Sequence, residues 1–383
     1  MTALLRVVLD QVVAPTASDL TTASRELGRA LVRTAPAGCA VEAIVPAVPD
    51  AAGTLEGAVP GLASLSRASL GRRELAAAWQ LGVAPGIGGG MIHSPTLMAP
   101  LVRHDRVNDN DQTVVTIWDL DAWERGAELH RGAVTWQKAM LKRAARFADA
   151  VVVPTHAMAA RVSELGAFGD RVRVIAGAAP AGFAVPTDEI GRRRALGVPE
   201  GFVLASGSSS PSARVGDAFG AVVAAGLDVA VVVIDVPEGD ADAVTALASA
   251  SGLSSDRVVA LGALDDADRG ALLGGAVAFV APSRLSAFPW RLVEALAVGL
   301  PVVAVDTPVH REVVWDGGAL VEADPSDAGS STSSAAAALG AALAEVLGST
   351  ASVERYGVLA ADRGRAFSWF GAAERVWMLH ADL

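Results

Sequence analysis

The chain has 383 residues, a formal net charge of −11 at pH 7 and only 5% aromatic side chains. Its length is enough for two domains of ordinary size, and its acidic balance argues against general nucleic-acid binding. Cys39 is the only cysteine, so no internal disulfide can form and a reducing cytoplasm is the expected compartment. No apolar run reaches the length of a membrane span.

In the first half of the chain, apolar runs alternate with amphipathic segments, as expected for parallel strands joined by helices. Strands are predicted at residues 4–13, 39–45, 91–93, 113–119, 150–154 and 171–176. Helices are predicted at residues 20–31, 74–81, 134–147 and 156–165, and residues 51–73 are predicted to be a polar linker. The turn after the first strand has no G-x-G-x-x-G motif, so a dinucleotide is not indicated.

Three features of this half are candidate ligand sites, and the residues around each of them decide how it is interpreted. The glycine run at residues 86–90 precedes a strand instead of opening a helix, which favours a plain turn over a phosphate loop. Asp109 and Asp111 have no histidine or further carboxylate grouped with them, which favours a polar loop over a metal site. The predicted helix 134–147 carries a basic face, interpreted as solvated, with contact to anionic lipid head groups as the alternative.

Residues 177–199 change character, with three prolines, several glycines and a basic triplet, and are predicted to link two domains. The second half then repeats the alternation of strands and helices. Strands are predicted at residues 202–206, 229–236, 257–261, 276–281 and 301–306, and helices at 240–250, 264–274, 291–298, 335–347, 353–365 and from 367 onward. The low-complexity run at 326–334 predicts a mobile loop.

Residues 279–325 are the most informative stretch. An apolar strand ends at Pro282-Ser283, a loop follows, and the next helix ends at Gly299, the residue type expected just past a helix end. Together with the apolar strand that comes next, this is the spacing of a parallel crossover unit. Its loop lies at the carboxyl end of a strand, where open α/β sheets bind ligands. Glu294, in the first turns of the helix, is the most conspicuous polar residue there.

The same stretch resembles the donor-site signature of family 4 glycosyltransferases of the GT-B fold. The residues that fall in register with that signature are Pro282, Ser283, Phe288, Glu294, Ala295, Gly299, Pro301, Val302, Val303, Glu312 and Val313. The resemblance is dense from residue 257 to 325 and sparse before 113, and the run Phe367-Ser368-Trp369 matches the family's usual ending.

The resemblance implies an α/β architecture of two Rossmann-like domains that face each other across a cleft. Residues 1–180 would form the acceptor-side domain and residues 181–365 the donor domain. Residues 366–383 would form a helix that packs back on the first domain.

The resemblance also implies the activity. A hexose of the mannose or glucose type would pass from a nucleotide-sugar donor to a cell-envelope or glycan acceptor, with retention at the anomeric carbon. The nucleotide sugar would be a substrate, and neither a cofactor nor a metal would be required. The partners would be the donor and a glycan or lipid-linked acceptor, with no nucleic acid. The expected location is the cytoplasm, and the inner face of the plasma membrane stays open as its site.

Site residues follow from the resemblance position by position. In the donor site, Arg214 would bind the pyrophosphate and Glu294 the ribose. The full donor-binding set is Arg214, Ser209, Ser286, Ala287, Phe288, Pro289 and Glu294, the catalytic set is Asp119 and Trp118, and the acceptor-side set is Asp19 and Ser94. A pocket walled by Ser286, Phe288 and Glu294 would hold the sugar nucleotide. The structural alternatives are a helix-solvating Glu294, a surface Arg214 and a purely structural Asp119.

Four positions depart from the family pattern. Asp19-Leu20 replace a Gly-Gly pair, Trp118 replaces a histidine, Ser208 replaces an arginine, and Ser286 replaces the first glutamate of the signature. Indole cannot shuttle a proton near neutral pH as imidazole can. These changes leave two hypotheses, an active transferase with an altered site or a catalytically silent GT-B module that partners another glycosyltransferase.

Overall fold

The computed structural model describes residues 3–84, 86–322 and 334–383. The chain forms two compact units, the first made of Met1–Gly177 with Ser368–Leu383 and the second of Ala178–Phe367. Each unit contains one parallel sheet whose strands are connected through helices. Residues 326–333 of the predicted low-complexity loop lie outside the described part of the chain.

In the described residues of the first unit, seven parallel strands form one sheet in the order β3-β2-β1-β4-β5-β6-β7. The strands are β1 (Ala3–Val8), β2 (Cys39–Val45), β3 (Ser64–Arg67), β4 (Met91–Ser94), β5 (Gln112–Thr116), β6 (Ala150–Val153) and β7 (Val172–Val174). The helices are α1 (Asp10–Val13), α2 (Ser18–Arg33), α3 (Ala51–Ala58), α4 (Arg72–Leu81), α5 (Arg106–Asp109), α6 (Asp121–Glu124), α7 (Arg131–Phe147) and α8 (His156–Leu165), with 3-10 turns at Gly126–Glu128 and Gly169–Arg171.

Two sequence predictions for this unit are wrong. The first apolar run is not one strand, because the chain leaves the sheet after Val8 and forms α1, where the buried Asp10 carboxylate accepts a hydrogen bond from Arg72 at 2.9 Å. Residues 51–73 are not a linker, because they contain α3 and the edge strand β3. That strand was missed because its inward groups are hydroxyls: Ser64 and Ser66 donate to the Glu42 carboxylate at 3.0 and 2.6 Å.

In the described residues of the second unit, six parallel strands follow the order β10-β9-β8-β11-β12-β13. They are β8 (Phe202–Ser206), β9 (Ala230–Ile234), β10 (Val258–Ala260), β11 (Ala276–Ala281), β12 (Val302–Val305) and β13 (Ala319–Val321). The helices are α9 (Glu189–Ala195), α10 (Val215–Ala224), α11 (Ala241–Ala250), α12 (Asp266–Gly275), α13 (Trp290–Val298), α14 (Pro308–Val314), α15 (Ser334–Leu347) and α16 (Thr350–Gly364), with a 3-10 turn at Ser255–Arg257. Aliphatic side chains of these strands pack with α10 and α15 into one core.

The predicted α/β fold class is confirmed, and its strand order locates the sites. In both sheets, the direction in which successive strands are added reverses beside the first strand. This happens between β1 and β4 in one unit and between β8 and β11 in the other. In open parallel sheets, ligands bind at such a switch point, outside the carboxyl ends of the strands. Two loop pairs are therefore the first places to look for a site.

The last helix, α17 (Trp369–Asp382), belongs to the first unit and packs against α2. The Trp377 indole donates a hydrogen bond of 3.1 Å to the Leu31 carbonyl. Leu31 lies in the last turn of α2, where carbonyls have no partner within the helix. The indole therefore satisfies a helix-end acceptor as well as filling space.

A buried chain of polar groups also holds α17 to the sheet. His380 Nδ1 donates to the Gln112 side-chain oxygen at 2.9 Å, and its Nε2 accepts from His93 Nδ1 at 3.4 Å. His93 Nε2 in turn accepts from the Thr116 hydroxyl at 3.3 Å. Burial lowers the pKa of His93 well below its usual value and that of His380 to about 4. Both rings are therefore neutral near pH 7, and with the Gln112 oxygen as an acceptor this neutrality fixes the order of donors given above.

Among the residues that the structure describes, no single helix combines the length and the apolar composition needed to cross a membrane. Only α15 taken together with the following helical segment, from which it is bent by 104°, reaches that threshold. Among the larger apolar side chains of α15, Leu339, Leu343 and Val346 are buried in the core of the second unit.

We expect Trp377→Phe to lower the free energy of unfolding by about 1 to 2 kcal/mol, because the Leu31 carbonyl loses its buried donor while the aromatic packing is largely kept. Urea unfolding measures the change. Trp315, which is 71% exposed, is the matched control, and Trp315→Phe should change stability by less than about 0.5 kcal/mol. Equal effects of the two substitutions would show that the indole hydrogen bond does not stabilise α17.

Candidate functional site

A pocket of about 610 Å³ opens at the carboxyl ends of β1, β4 and β5 in the first unit. Its walls are mostly apolar, with a few polar groups, and include Gln11, Leu20, Arg72, Thr96, Trp118, Asp119 and Trp136. A largely apolar concavity with a few convergent polar groups at a switch point is typical of a small-molecule site. This is the strongest candidate for a ligand pocket in the first unit.

Asp119 lies in this pocket, directly beyond β5. One carboxylate oxygen accepts a hydrogen bond from the Asp121 backbone at 3.2 Å. Burial, with a smaller contribution from the negative charge of Asp121, raises the pKa of Asp119 from 3.8 to about 6. A carboxyl group with such a pKa is mostly ionised at pH 7 but takes up a proton readily. The sequence prediction that Asp119 contacts substrate hydroxyls stays a prediction, and this environment is compatible with it.

Trp118, the other residue predicted to be catalytic, also lines the pocket but is only 6% exposed. Its indole donates to the Pro95 carbonyl at 2.8 Å, and its ring packs edge-on against Trp369 with the ring centres 6.1 Å apart. These contacts fix the chain between β5 and α6. The geometry therefore gives Trp118 a packing and orienting part at the pocket wall.

The two residues predicted on the acceptor side are not among those that line the pocket. Asp19 lies in the first turn of α2, and its neighbour Leu20 contributes to the wall instead. Ser94 is fully buried, and its hydroxyl donates to the Met98 carbonyl at 2.8 Å. Ser94 thus shapes the 94–98 loop, whose later residues form the wall.

Sequence reasoning missed the polar group on the opposite wall. Gln11 and Arg72 line the pocket, and both hydrogen-bond the buried Asp10 carboxylate, at 3.1 and 2.9 Å. Burial raises the pKa of Asp10, although Arg72 opposes the shift. The sequence signal was the polar pair Asp10-Gln11 directly after an apolar strand. The strand prediction for residues 4–13 included this pair as part of the strand.

At the switch point of the second unit, the loop after β8 turns sharply at Gly207. Its φ is +140°, and an added Cβ would lie 3.1 Å from both Ala213 and Val215 side chains, so only glycine fits without strain. The Ser208 hydroxyl donates to that of Ser210 at 2.9 Å. The Ser210 hydroxyl is in turn 3.3 Å from that of Ser212. The loop therefore presents a row of linked hydroxyl groups.

The predicted donor residues of this loop are held by carboxylates. Asp240 accepts from both the Ser209 backbone, at 2.7 Å, and the Ser209 hydroxyl. Arg214 begins α10 with a positive φ of 57° and donates to Asp217 at 2.6 Å. A phosphate that binds Ser209 or Arg214 would either share that residue with its present partner, Asp240 or Asp217, or displace the partner's carboxylate.

The loop after β11 lies beside this one. The Ser283 hydroxyl donates to the Ser212 carbonyl at 3.0 Å and so ties the two loops together. Ser286 and Ala287 are half-buried in the second loop, and Pro289 stands at the start of α13. The resemblance placed these residues around a sugar nucleotide, and that role stays a prediction.

Phe288 and Glu294 do not form the open wall that we expected. Phe288 is 4% exposed because it packs edge-on against Trp290 and Phe367, with ring centres 4.6 and 6.4 Å away. Glu294 is 3% exposed because two guanidinium groups cover it. Both side chains therefore act inside the second unit, where they support the loop instead of facing solvent.

The contacts of Glu294 are specific. Arg269 from α12 binds both of its oxygens, with Nε and Nη2 each at 3.0 Å, and Arg291 donates to one oxygen at 2.9 Å. Arg291 also binds Asp235, which follows β9 with a φ of +61°. One carboxylate thus fixes α12 and α13 on the loop after β9. In the residues that the structure describes, His, Cys, Asp and Glu side chains form no group that could hold a metal ion.

Glu294→Gln should lower the free energy of unfolding by about 3 kcal/mol, because two buried guanidinium groups lose the negative charge that they share. Thermal unfolding measures the change. Glu345→Gln is the matched control, since its carboxylate is 70% exposed and should contribute less than about 1 kcal/mol. A Glu294→Gln variant as stable as wild type would contradict this account of the network.

Asp119→Asn should stabilise the chain at pH 7 by on the order of 2 kcal/mol, since burial opposes the charge that the wild-type side chain carries there. The folded pKa is raised, so the folded chain binds this proton more tightly than the unfolded chain does. The advantage of the variant should therefore shrink as the pH falls from 7 to 4. Urea unfolding across that range measures it, with the exposed Asp242→Asn as control. A difference that is constant with pH would contradict the raised pKa.

Comparison with known proteins finds chains that are similar in sequence or in fold. Residues 215–341 match the family model described as "Glycosyl transferases group 1". A phosphatidyl-myo-inositol mannosyltransferase of Mycobacterium leprae (strain TN) is 34% identical over 137 residues, 35% of this chain and 34% of the relative. The match therefore spans about a third of the mannosyltransferase.

Solved structures resemble the whole chain. Sucrose-phosphate synthase from Thermosynechococcus elongatus aligns with a TM-score of 0.70 and 19% identity, over 99% of this chain and 98% of its own. Anabaena HepE, solved in complex with UDP and glucose, aligns with a TM-score of 0.69 and 18% identity over 100% of both chains. Over residues 215–341 the chain is similar in sequence to group 1 glycosyltransferases, and as a whole it shares the GT-B fold.

Proposed function

We propose that this chain is a glycosyltransferase that moves a hexose of the mannose or glucose type from a nucleotide-sugar donor to a cell-envelope or glycan acceptor, with retention. The observation that carries the proposal is the pair of loops at the switch point of the second sheet. Ser283 ties the loop after β11 to the hydroxyl-lined loop after β8. The first of these loops lies inside the segment that matches the family, and the second directly precedes it.

The donor proposal has support from chemistry and from relatives. A departing nucleoside diphosphate needs positive charge and oriented donors, which arginine side chains and hydroxyl groups supply. For this reason we propose that no metal or other cofactor is required. HepE was solved with UDP and glucose, and the leprosy-bacillus relative is a mannosyltransferase by name, which favours a nucleotide-activated hexose here.

The acceptor is proposed to enter the pocket of the first unit. Its largely apolar walls suit an acceptor with an apolar part, such as a lipid-linked glycan, and the polar groups suit a sugar hydroxyl. Asp119, mostly ionised at pH 7, would accept a hydrogen bond from that hydroxyl as the new glycosidic bond forms. Trp118 would orient the same segment of chain, since its indole is already bound to Pro95.

We place the enzyme in the cytoplasm at the inner face of the plasma membrane. Lys138, Lys142 and Arg146 are exposed and spaced four residues apart on α7, so they share one helix face. A row of cations on a helix surface is attracted by anionic lipid head groups. Such a contact would bring the chain to a lipid-linked acceptor.

The second candidate is a catalytically silent module that partners an active glycosyltransferase. It is favoured by the occupied donor residues: Asp240 holds Ser209, and Asp217 holds Arg214. In this case a nucleotide sugar would bind weakly or not at all, and the surface would carry the function. The two candidates differ in ligand binding and in turnover.

A nucleotide panel separates them. In the active case, UDP, GDP or ADP, or the corresponding nucleotide hexoses, should raise the melting temperature by several degrees at a hundred times the dissociation constant. The reason is that binding only the folded state contributes about 2.7 kcal/mol under those conditions. Asp119→Asn, a change in the other unit, should keep the shift and lower the rate of transfer. Absence of any shift at millimolar nucleotide would contradict the proposal, and co-purification with a second glycosyltransferase chain would then favour the silent module.

A further inference from the structure

Arg284 is an arginine in the donor loop that neither the fold nor the proposed chemistry has used so far. It follows Ser283, just beyond the carboxyl end of β11 and beside the switch point. The family resemblance assigns no role to this position. The Ser283 hydroxyl is bound to the Ser212 carbonyl, so the loop that carries Arg284 is tied to the loop with the linked hydroxyls.

The guanidinium group of Arg284 is not satisfied by the protein. Its Nε and Nη2 atoms are both buried, and neither has a hydrogen-bond partner among the residues that the structure describes. A buried donor on a charged group that is left unpaired destabilises the folded chain, which is why such groups are rare and point to a missing partner. Within the described chain, Arg284 is the arginine with two such atoms.

The two unpaired atoms are a matched pair. Nε–H and Nη2–H lie on the same edge of a guanidinium group and point in parallel, which is the fork that binds two oxygens of one carboxylate or phosphate. Arg269 uses this edge on Glu294, with both distances at 3.0 Å. In Arg284 the same edge is buried and empty, so its geometry fits a doubly bonded oxyanion.

The acidic residues around the loops already hold other groups. Asp240 is bound to Ser209, Asp217 to Arg214 and Asp235 to Arg291. Each of these carboxylates is therefore already bound to another residue, and none of them pairs with the Nε and Nη2 atoms of Arg284.

We propose that Arg284 binds the diphosphate of the donor through its Nε and Nη2 edge and supplies the positive charge that the serine at position 208 does not. The inference rests on the proposed function, and it deepens it by naming the group that replaces the missing family cation. In the family pattern this cation lies in the loop after β8, whereas in this chain Arg284 supplies it from the loop after β11. These two strands are neighbours in the sheet, so their loops can serve one ligand.

The test compares wild type with Arg284→Gln, Arg284→Lys and the control Arg365→Gln, whose side chain is 78% exposed in the same unit. Calorimetric titration measures binding of the nucleoside diphosphate that gives the largest thermal shift, of its monophosphate, and of pyrophosphate. Arg284→Gln should weaken diphosphate binding by about 10- to 100-fold and reduce the ratio of diphosphate to monophosphate affinity at least tenfold. Arg284→Lys should recover part of the loss, because an ammonium is a point charge without the fork. Arg365→Gln should behave as wild type.

The melting temperature without ligand is the second readout. Arg284→Gln should melt at or above the wild-type temperature, since it removes an unpaired buried charge. A lower melting temperature with an unchanged affinity ratio would identify a structural role and overturn the proposal.

The outcomes also separate this inference from the proposed function. Nucleotide binding that is normal in Arg284→Gln overturns only the role of Arg284. Pyrophosphate binding that depends on Arg284, without binding of any nucleotide, supports the anion site and overturns the proposed function. A wild-type chain that binds neither nucleotides nor pyrophosphate overturns both.

Discussion

A single buried carboxylate fixes the elements around the switch point of the second unit. Glu294 is enclosed by Arg269 and Arg291, and burying three charges is favourable only when each is paired with good geometry. The network joins α12 and α13 to the loop after β9. Because α13 is held in this way, the end of the loop between β11 and α13 is fixed in position. Its rigidity matters for phosphate recognition, which depends on donors held in place before the ligand arrives.

The two switch points share a topology but differ in chemistry. The first unit offers a roomy and largely apolar pocket with Asp119 at its wall, and the second offers hydroxyls and guanidinium groups. This division suits a reaction between an acceptor with an apolar part and a polyanionic donor. The same strand order can serve both because the loops, and not the sheet, carry the specificity.

Sequence periodicity predicted the sheets well because most strands are buried on both faces and therefore read as short aliphatic runs. It missed β3, where hydroxyls bind Glu42, and β13, and it merged α1 with β1 because Val12 and Val13 extend the apolar run beyond Asp10 and Gln11. In the site, strand ends and the family signature pointed to Asp119 and Glu294. The contacts of these side chains could not be predicted from the sequence. Arg269 lies 25 residues from Glu294 along the chain, and no local sequence pattern indicates such a pairing. The unpaired edge of Arg284 is likewise a property of packing alone.

The return of α17 to the first unit has a consequence for how the chain is made. The first unit is discontinuous, with the whole of Ala178–Phe367 inserted between its penultimate and final segments. During synthesis, the strands of the first sheet emerge before the helix that covers α2, because the whole second unit lies between them in the sequence. The inserted unit, being continuous, can fold first during elongation. Until Ser368–Leu383 has been added, the face of α2 that α17 contacts in the folded chain lacks this cover.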